Sequence, residues 1–206
     1  TITVTPTFTN DGLSCTGTVR TYTITINPTA TVNTVSNQVV CNGSAATAVN
    51  FSTTATGGTV TYAWTNSNTT IGLLASGSGN IASFTATNNG TAPVTATITV
   101  TPTFTNEGVS CQGTAQIFTI TVNPTATVNA ISNQTVCNGA AVSAVNFATT
   151  ATGGIVTYNW TNNNSAIGLA ASGTGNIASF NATNSSNVPV TATITVTPTF
   201  TNGGVS

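Results

Sequence analysis

The stretch Thr97-Ile98-Thr99-Val100-Thr101-Pro102-Thr103-Phe104-Thr105-Asn106 decides how the rest of this chain is read. Apolar residues alternate with threonine, the period of two that a half-buried β-strand requires. The same ten residues stand at positions 1–10 and 193–202, an offset of 96 each time. The register holds between the copies without insertion or deletion: Cys15 corresponds to Cys111, Cys41 to Cys137 and Trp64 to Trp160. A period of this length is too long for a solenoid repeat and fits a whole small domain. The chain therefore reads as a tandem array of modules.

Each module carries further strand signals. After the turn Asn106-Glu107-Gly108 comes the return run Phe118-Thr119-Ile120-Thr121-Val122, forming a hairpin-like pair late in the module. Earlier runs, Val60-Thr61-Tyr62-Ala63-Trp64 and Ile81-Ala82-Ser83-Phe84, are flanked by Gly57, Gly58, Gly77 and Gly79. No helical apolar period with caps occurs. About seven short strands per module predict an all-β fold, an antiparallel sandwich of the immunoglobulin-like kind. Threonine suits the solvent face of such strands. Trp64, Trp160, Tyr62, Phe104 and Phe118 are the expected core aromatics. The segments Asn27-Pro28-Thr29-Ala30 and Asn123-Pro124-Thr125-Ala126 read as short, semi-rigid linkers, because proline cannot donate to a ladder. They divide the chain into 1–28 (the tail of one module), 29–124 (a complete module) and 125–206 (the next, lacking its last strand). There is no initiator Met, and the chain begins and ends inside a repeat, so a window of a longer protein is expected.

Composition excludes whole classes of function. The 206 residues include one Lys or Arg, two Asp or Glu and no His. Charged residues make up 1%, against about 25% in ordinary soluble domains. One arginine cannot neutralise a phosphate backbone, which argues against nucleic acid as a partner. Acid–base catalysis lacks its usual titratable groups, and a calcium cage lacks its carboxylates. Neither enzyme activity nor a cofactor is expected. Disorder is not implied, since 39% of residues are hydrophobic and mean hydropathy is +0.24. No run of 18 apolar residues occurs, so no membrane span is expected in this window.

The four cysteines allow two sensible pairings. One joins Cys41 to Cys111 inside the complete module, leaving Cys15 and Cys137 to partners outside the window; the period places a further cysteine just after Ser206. The other joins Cys15 to Cys41 and Cys111 to Cys137, across the linkers. Loop entropy gives ~4.4 kcal/mol for the first and ~3.5 for the second, too close to decide. The intramodule bond is preferred because both of its cysteines can reach one end of a seven-stranded sandwich. Either pairing implies an oxidising, extracellular setting. A zinc site would need CxxC spacing or histidine, and neither is present.

Other candidates have plain explanations. Trp64 and Trp160 each follow Thr-Tyr, and could form a ligand-stacking platform; a shared core position is the simpler expectation. Asp11, Glu107 and Gly203 occupy equivalent positions, which suits a turn and not a catalytic or metal role. Arg20 is matched by Gln116 and is assigned nothing. Asn-x-Ser/Thr triplets, at Asn50, Asn68, Asn159 and Asn181 among others, arise readily when Thr and Asn supply over a third of the chain. Ice-binding surfaces also array threonine regularly, but on short flat coils, whereas this period is a domain.

As a set, several motifs resemble the PKD-like, immunoglobulin-fold repeats of very large Bacteroidota cell-surface proteins, gliding adhesins of the SprB type among them. They are Gln38-Val39-Val40-Cys41-Asn42-Gly43, Thr61-Tyr62-Ala63-Trp64-Thr65-Asn66, Gly77-Ser78-Gly79-Asn80-Ile81-Ala82-Ser83-Phe84, Thr95-Ala96-Thr97-Ile98-Thr99-Val100-Thr101-Pro102 and Phe118-Thr119-Ile120-Thr121-Val122-Asn123-Pro124. The resemblance covers the whole window. It implies export by the type IX system, residence at the cell surface and a structural role as adhesin stalk or filament, with no catalytic residue to carry over. Expected partners are neighbouring modules of the same chain, other chains through lateral strand pairing into fibres, and a polysaccharide or surface ligand at an unseen tip. The alternative is a carbohydrate- or surface-binding module that acts by avidity.

Overall fold

Threonine–apolar alternation yields strands in every part of the computed structural model, which describes residues 1–206. The chain is nearly all β, in several sheets and without a barrel. Its only helical elements are single 3-10 turns at Thr69–Ile71 and Ser165–Ile167.

The first segment is a bent hairpin. Strand β1 (Ile2–Val4) pairs with β4 (Arg20–Tyr22), and β2 (Thr7–Asn10) with β3 (Leu13–Thr16). The next segment holds β5 (Gln38–Cys41), β6 (Ala45–Ala46), β7 (Thr59–Asn66), β8 (Ser76–Ser78), β9 (Phe84–Thr85), β10 (Val94–Asn106), β11 (Val109–Gln112) and β12 (Gln116–Asn123). Its main sheet runs in the order β5-β12-β10-β7-β8, with β11 added alongside β10. All its pairs are antiparallel except β5 with β12, which run parallel. The pair β6–β9 and the bridge Val49–Ile81 form the opposing layer.

The 13-residue strand β10 is the spine of this unit. Ala96, Ile98, Val100, Pro102 and Phe104 are buried on it, and the threonines between them are partly exposed. Pro102 has no N–H to give to a ladder. It sits where one edge of β10 passes from β12, which pairs with Val94–Val100, to β11, which pairs with Thr103–Asn106. The Pro102 carbonyl accepts from Gly113 N at 2.8 Å, closing the gap. Between the layers lie 14 buried residues, among them Phe51, Trp64, Ile71, Ile81, Ile98, Phe118 and Ile120.

The third segment repeats the elements at the 96-residue offset. Strands β13 (Ala141–Val142), β14 (Ile155–Asn162), β15 (Ser172–Thr174) and β16 (Phe180–Asn181) copy β6 to β9, and β17 (Ile194–Thr201) copies part of β10. Residues 134–137 and 190–193 form no strand. Their counterparts 38–41 and 94–97 are held by β12, and no counterpart of β12 follows β17 within the 206 residues. The buried cluster here shrinks to Phe147, Trp160 and Ile177.

Near-absence of charge has a measurable consequence. Burial of Tyr62, whose ring lies 5.6 Å from that of Phe51, pushes its phenol above the usual tyrosine value. A phenol held neutral in the fold leaves stability unchanged below the unfolded pKa of about 10. Stability is then lost as pH rises from there through the folded value. The melting temperature is expected to stay flat from pH 5 to 8, and to fall only in alkali beyond about pH 10. A calorimetric pH series checks this; an acid-side fall in that flat range would contradict it.

Candidate functional site at the joints

No group of three or more His, Cys, Asp or Glu comes together anywhere in the structure. The residues singled out in the sequence fall mostly into structural positions. Trp64 and Trp160 are 6% and 7% exposed, inside their respective cores, and offer no stacking face. Phe104 and Phe118 are buried, and Tyr62 packs against the central core. Asp11 and Glu107 have φ of 46° and 48°, each followed by a glycine at positive φ; Gly203 and Gly204 repeat this at 59° and 75°. Two successive positive φ values define the type I′ hairpin turn, whose twist matches the flanking strands. The acidic residues are therefore turn formers. Arg20 lies exposed on β4.

The triplet asparagines are largely engaged in local structure. Asn68 Oδ1 accepts from Thr70 N at 3.0 Å and caps the first 3-10 turn. Asn50 Oδ1 accepts from the Asn80 amide at 3.0 Å. Deeper asparagines replace the charged clamps of other proteins. The Asn66 amide donates to the Leu73 and Leu74 carbonyls, and its oxygen accepts from Asn68 N. Asn88 donates to Ala92 and Val122 carbonyls and accepts from Gly90 N. Neutral amides that are fully bonded can be buried without the desolvation cost of an ion.

The preferred disulfide is not made. All four cysteines are free thiols. Cys41 stands beside Asn123, next to the Val94 end of β10, whereas Cys111 pairs with Phe104. Ten residues of strand separate Val94 from Phe104, roughly 33 Å at the rise of a β-strand. A disulfide requires Cα atoms within about 7 Å. The cross-linker alternative fails as well: the β10–β11 hairpin meets the first segment, so the length of β10 also lies between Cys41 and the hairpin of Cys15. Cys111 and Cys137 are parted in the same way by the unit's length.

What the structure does bring together is the joint. The Asn27 amide donates to the carbonyls of Asn106 (3.5 Å) and Val109 (3.3 Å) at the tip of the β10–β11 hairpin, and accepts from the Asn106 amide at 3.0 Å. One period later, Asn123 donates to the carbonyls of Asn202 (3.2 Å) and Val205 (3.3 Å) and accepts from the Asn202 amide at 3.0 Å. In each case an asparagine that precedes a proline grips the tip of a hairpin about 80 residues further along the chain. The second joint has more contacts. Thr152 N donates to the Thr91 carbonyl at 2.8 Å. Val39 on β5 packs on Gly203, where an added Cβ would stand 3.0 Å from Val39 Cγ2. Beside it opens a polar cleft of about 290 Å³, lined by Asn42, Asn88, Thr91, Thr125 and Thr150 among others, with no apolar side chain.

The sequence placed a linker at Asn-Pro-Thr-Ala but not the clamp within it. The available signal was that both the asparagine before the proline and the Asn of the hairpin tip recur in register. No protein-family model matches the chain, and no curated protein matches it.

Proposed function

We propose that the chain is a run of immunoglobulin-like (PKD-like) sandwich modules, serving as non-catalytic stalk or filament of a large secreted bacterial adhesin at the cell surface. The strand order β5-β12-β10-β7-β8 opposite β6–β9, with its parallel first–last pairing, supports the immunoglobulin-like assignment. One observation carries the function: the same asparagine clamp recurs at both joints. A repeated, directional grip sets each unit on the next in one orientation, which is what a load-bearing spacer needs. A nearly chargeless, threonine-faced surface also makes that spacer insensitive to salt and pH. Lateral pairing into fibres would use the free edge at Ser76–Ser78, only three residues long.

Small-angle scattering on this chain tests the stalk, with a profile of one elongated rigid particle as the expected result. The polar cleft at the second joint favours the alternative, a carbohydrate-binding module, which a glycan array examines on the same sample. Glycan binding that disappears in Thr91→Trp, with the fold retained, would overturn the stalk reading.

A further inference from the structure

We propose that the first-strand cysteine of each unit forms a disulfide with the hairpin cysteine of the unit that follows, so that the covalent link crosses the joint. The inference rests on the tandem-module reading above. Cys41 lines a cleft of about 220 Å³ together with Pro198, Thr199, Phe200 and Ser206, residues from the far side of the joint. Its neighbour Val39 already touches the opposing hairpin at Gly203. In both earlier hairpins a cysteine stands opposite the strand phenylalanine: Cys15 opposite Phe8, and Cys111 opposite Phe104. The Asn202–Val205 bridge sets the third hairpin in the same register. In that register a residue following Ser206 would stand opposite Phe200, on the cleft that Cys41 lines. In the two earlier copies that position, following Ser14 and Ser110, is cysteine.

The same geometry turns Cys111 toward the unit before it, across the joint that Asn27 grips. Every cysteine then finds its partner one unit away, and no two of Cys15, Cys41, Cys111 and Cys137 are partners. Bond formation removes two protons and two electrons from the two thiols. A disulfide-class oxidant such as glutathione disulfide accepts them, its own S–S bond breaking to give two thiols. The product is a filament whose joints cannot part without reduction, even where the asparagine clamp has been pulled open.

The test uses the chain lengthened by a single cysteine after Ser206, incubated folded with glutathione disulfide, then alkylated and mapped without reduction. Expected is one intramolecular link between Cys41 and the added cysteine, with Cys15, Cys111 and Cys137 alkylated. In Cys41→Ser the added cysteine should be alkylated too. A Cys41–Cys111 or Cys15–Cys41 link overturns the proposal, as do five alkylated thiols in a chain whose circular dichroism is native. Scattering on the same sample separates the two ideas. A rigid elongated particle with five free thiols defeats the disulfide and leaves the stalk standing. A linked chain that binds glycan through the Thr91 cleft does the reverse.

Discussion

Trp64→Ala is expected to destabilise the central unit by about 3–5 kcal/mol, the usual cost of emptying a large aromatic site. Domains of this kind hold only about 5–15 kcal/mol in total, so the unit should be close to unfolding at 37 °C. Trp64 lies at 6% exposure in the 14-residue cluster. Its seat is shaped for it: β8 places Gly77 directly opposite, and a Cβ there would stand 2.6 Å from Trp64 Cε2. The indole Nε1 is buried without a hydrogen-bond partner, as is that of Trp160. The ring is thus held for its volume and not for its polar atom. Trp64→Phe should accordingly cost less than about 1.5 kcal/mol, since it keeps most of the packing and removes an unsatisfied donor. Urea titration followed by circular dichroism separates the two; equal losses would show that the indole N–H contributes a bond. The chain has only two tryptophans, so Trp160→Phe leaves Trp64 as sole fluorescent reporter of the central unit. Trp64→Phe conversely reports on the third. With three buried residues against 14, the third unit should melt at the lower urea concentration.

Much of the fold was legible in local pattern. Alternation located β10 and β12, because a strand with one buried face must alternate. The Asp11/Glu107/Gly203 equivalence gave the turn, because all three positions need positive φ, and an acidic role cannot tolerate glycine. The cysteine geometry was not legible. On sequence alone, both cysteines are expected to reach the same end of a seven-stranded sandwich. Instead β5 runs parallel to β12, so Cys41 ends beside Asn123, while the β10–β11 hairpin holds Cys111 at the other end of β10. Nothing in spacing alone reveals that the first strand pairs parallel with the last. The joint stayed hidden for a related reason. Asparagine is so common here that its turn-forming habit masks the few copies, such as Asn123, whose amides are fully buried.

Those copies also give the low charge a structural meaning. In most domains a long-range clamp between elements is an ion pair or a charged hydrogen bond, both sensitive to salt and pH. Here Asn88 and Asn123 do that work with neutral amides that each both donate and accept. A carboxamide can bond two carbonyls and an N–H at once, which a carboxylate or an ammonium cannot. The composition is therefore not merely a surface without charge. It is an interior and a set of joints built from groups that stay the same whatever the ionic conditions.

The sharpest consequence falls at the second joint, where Asn123→Ala should free the hairpin tip while leaving both units folded. Asn123 is fully buried. Truncating it removes the second donor from the Asn202 and Val205 carbonyls, which also accept from each other's N–H, and leaves the Asn202 amide without its acceptor. Each of the three lost hydrogen bonds is worth about 0.5–1.5 kcal/mol net. The remaining contacts, Val39 on Gly203 and Thr152 N with the Thr91 carbonyl, are too few to absorb the loss of all three. Far-UV circular dichroism should be unchanged. Amide exchange should rise at residues 201–205 by one to two orders of magnitude, the factor of ten per 1.4 kcal/mol, and scattering should report a broader distribution of shapes. Asn27→Ala should act the same way on residues 105–109 but less strongly, because Asn27 is only half-buried and one of its contacts is long, at 3.5 Å. If Asn123→Ala exchanges at the parent rate, the clamp does not hold the joint, and the orientation of successive units must come from Pro124 and the Thr91 loop instead.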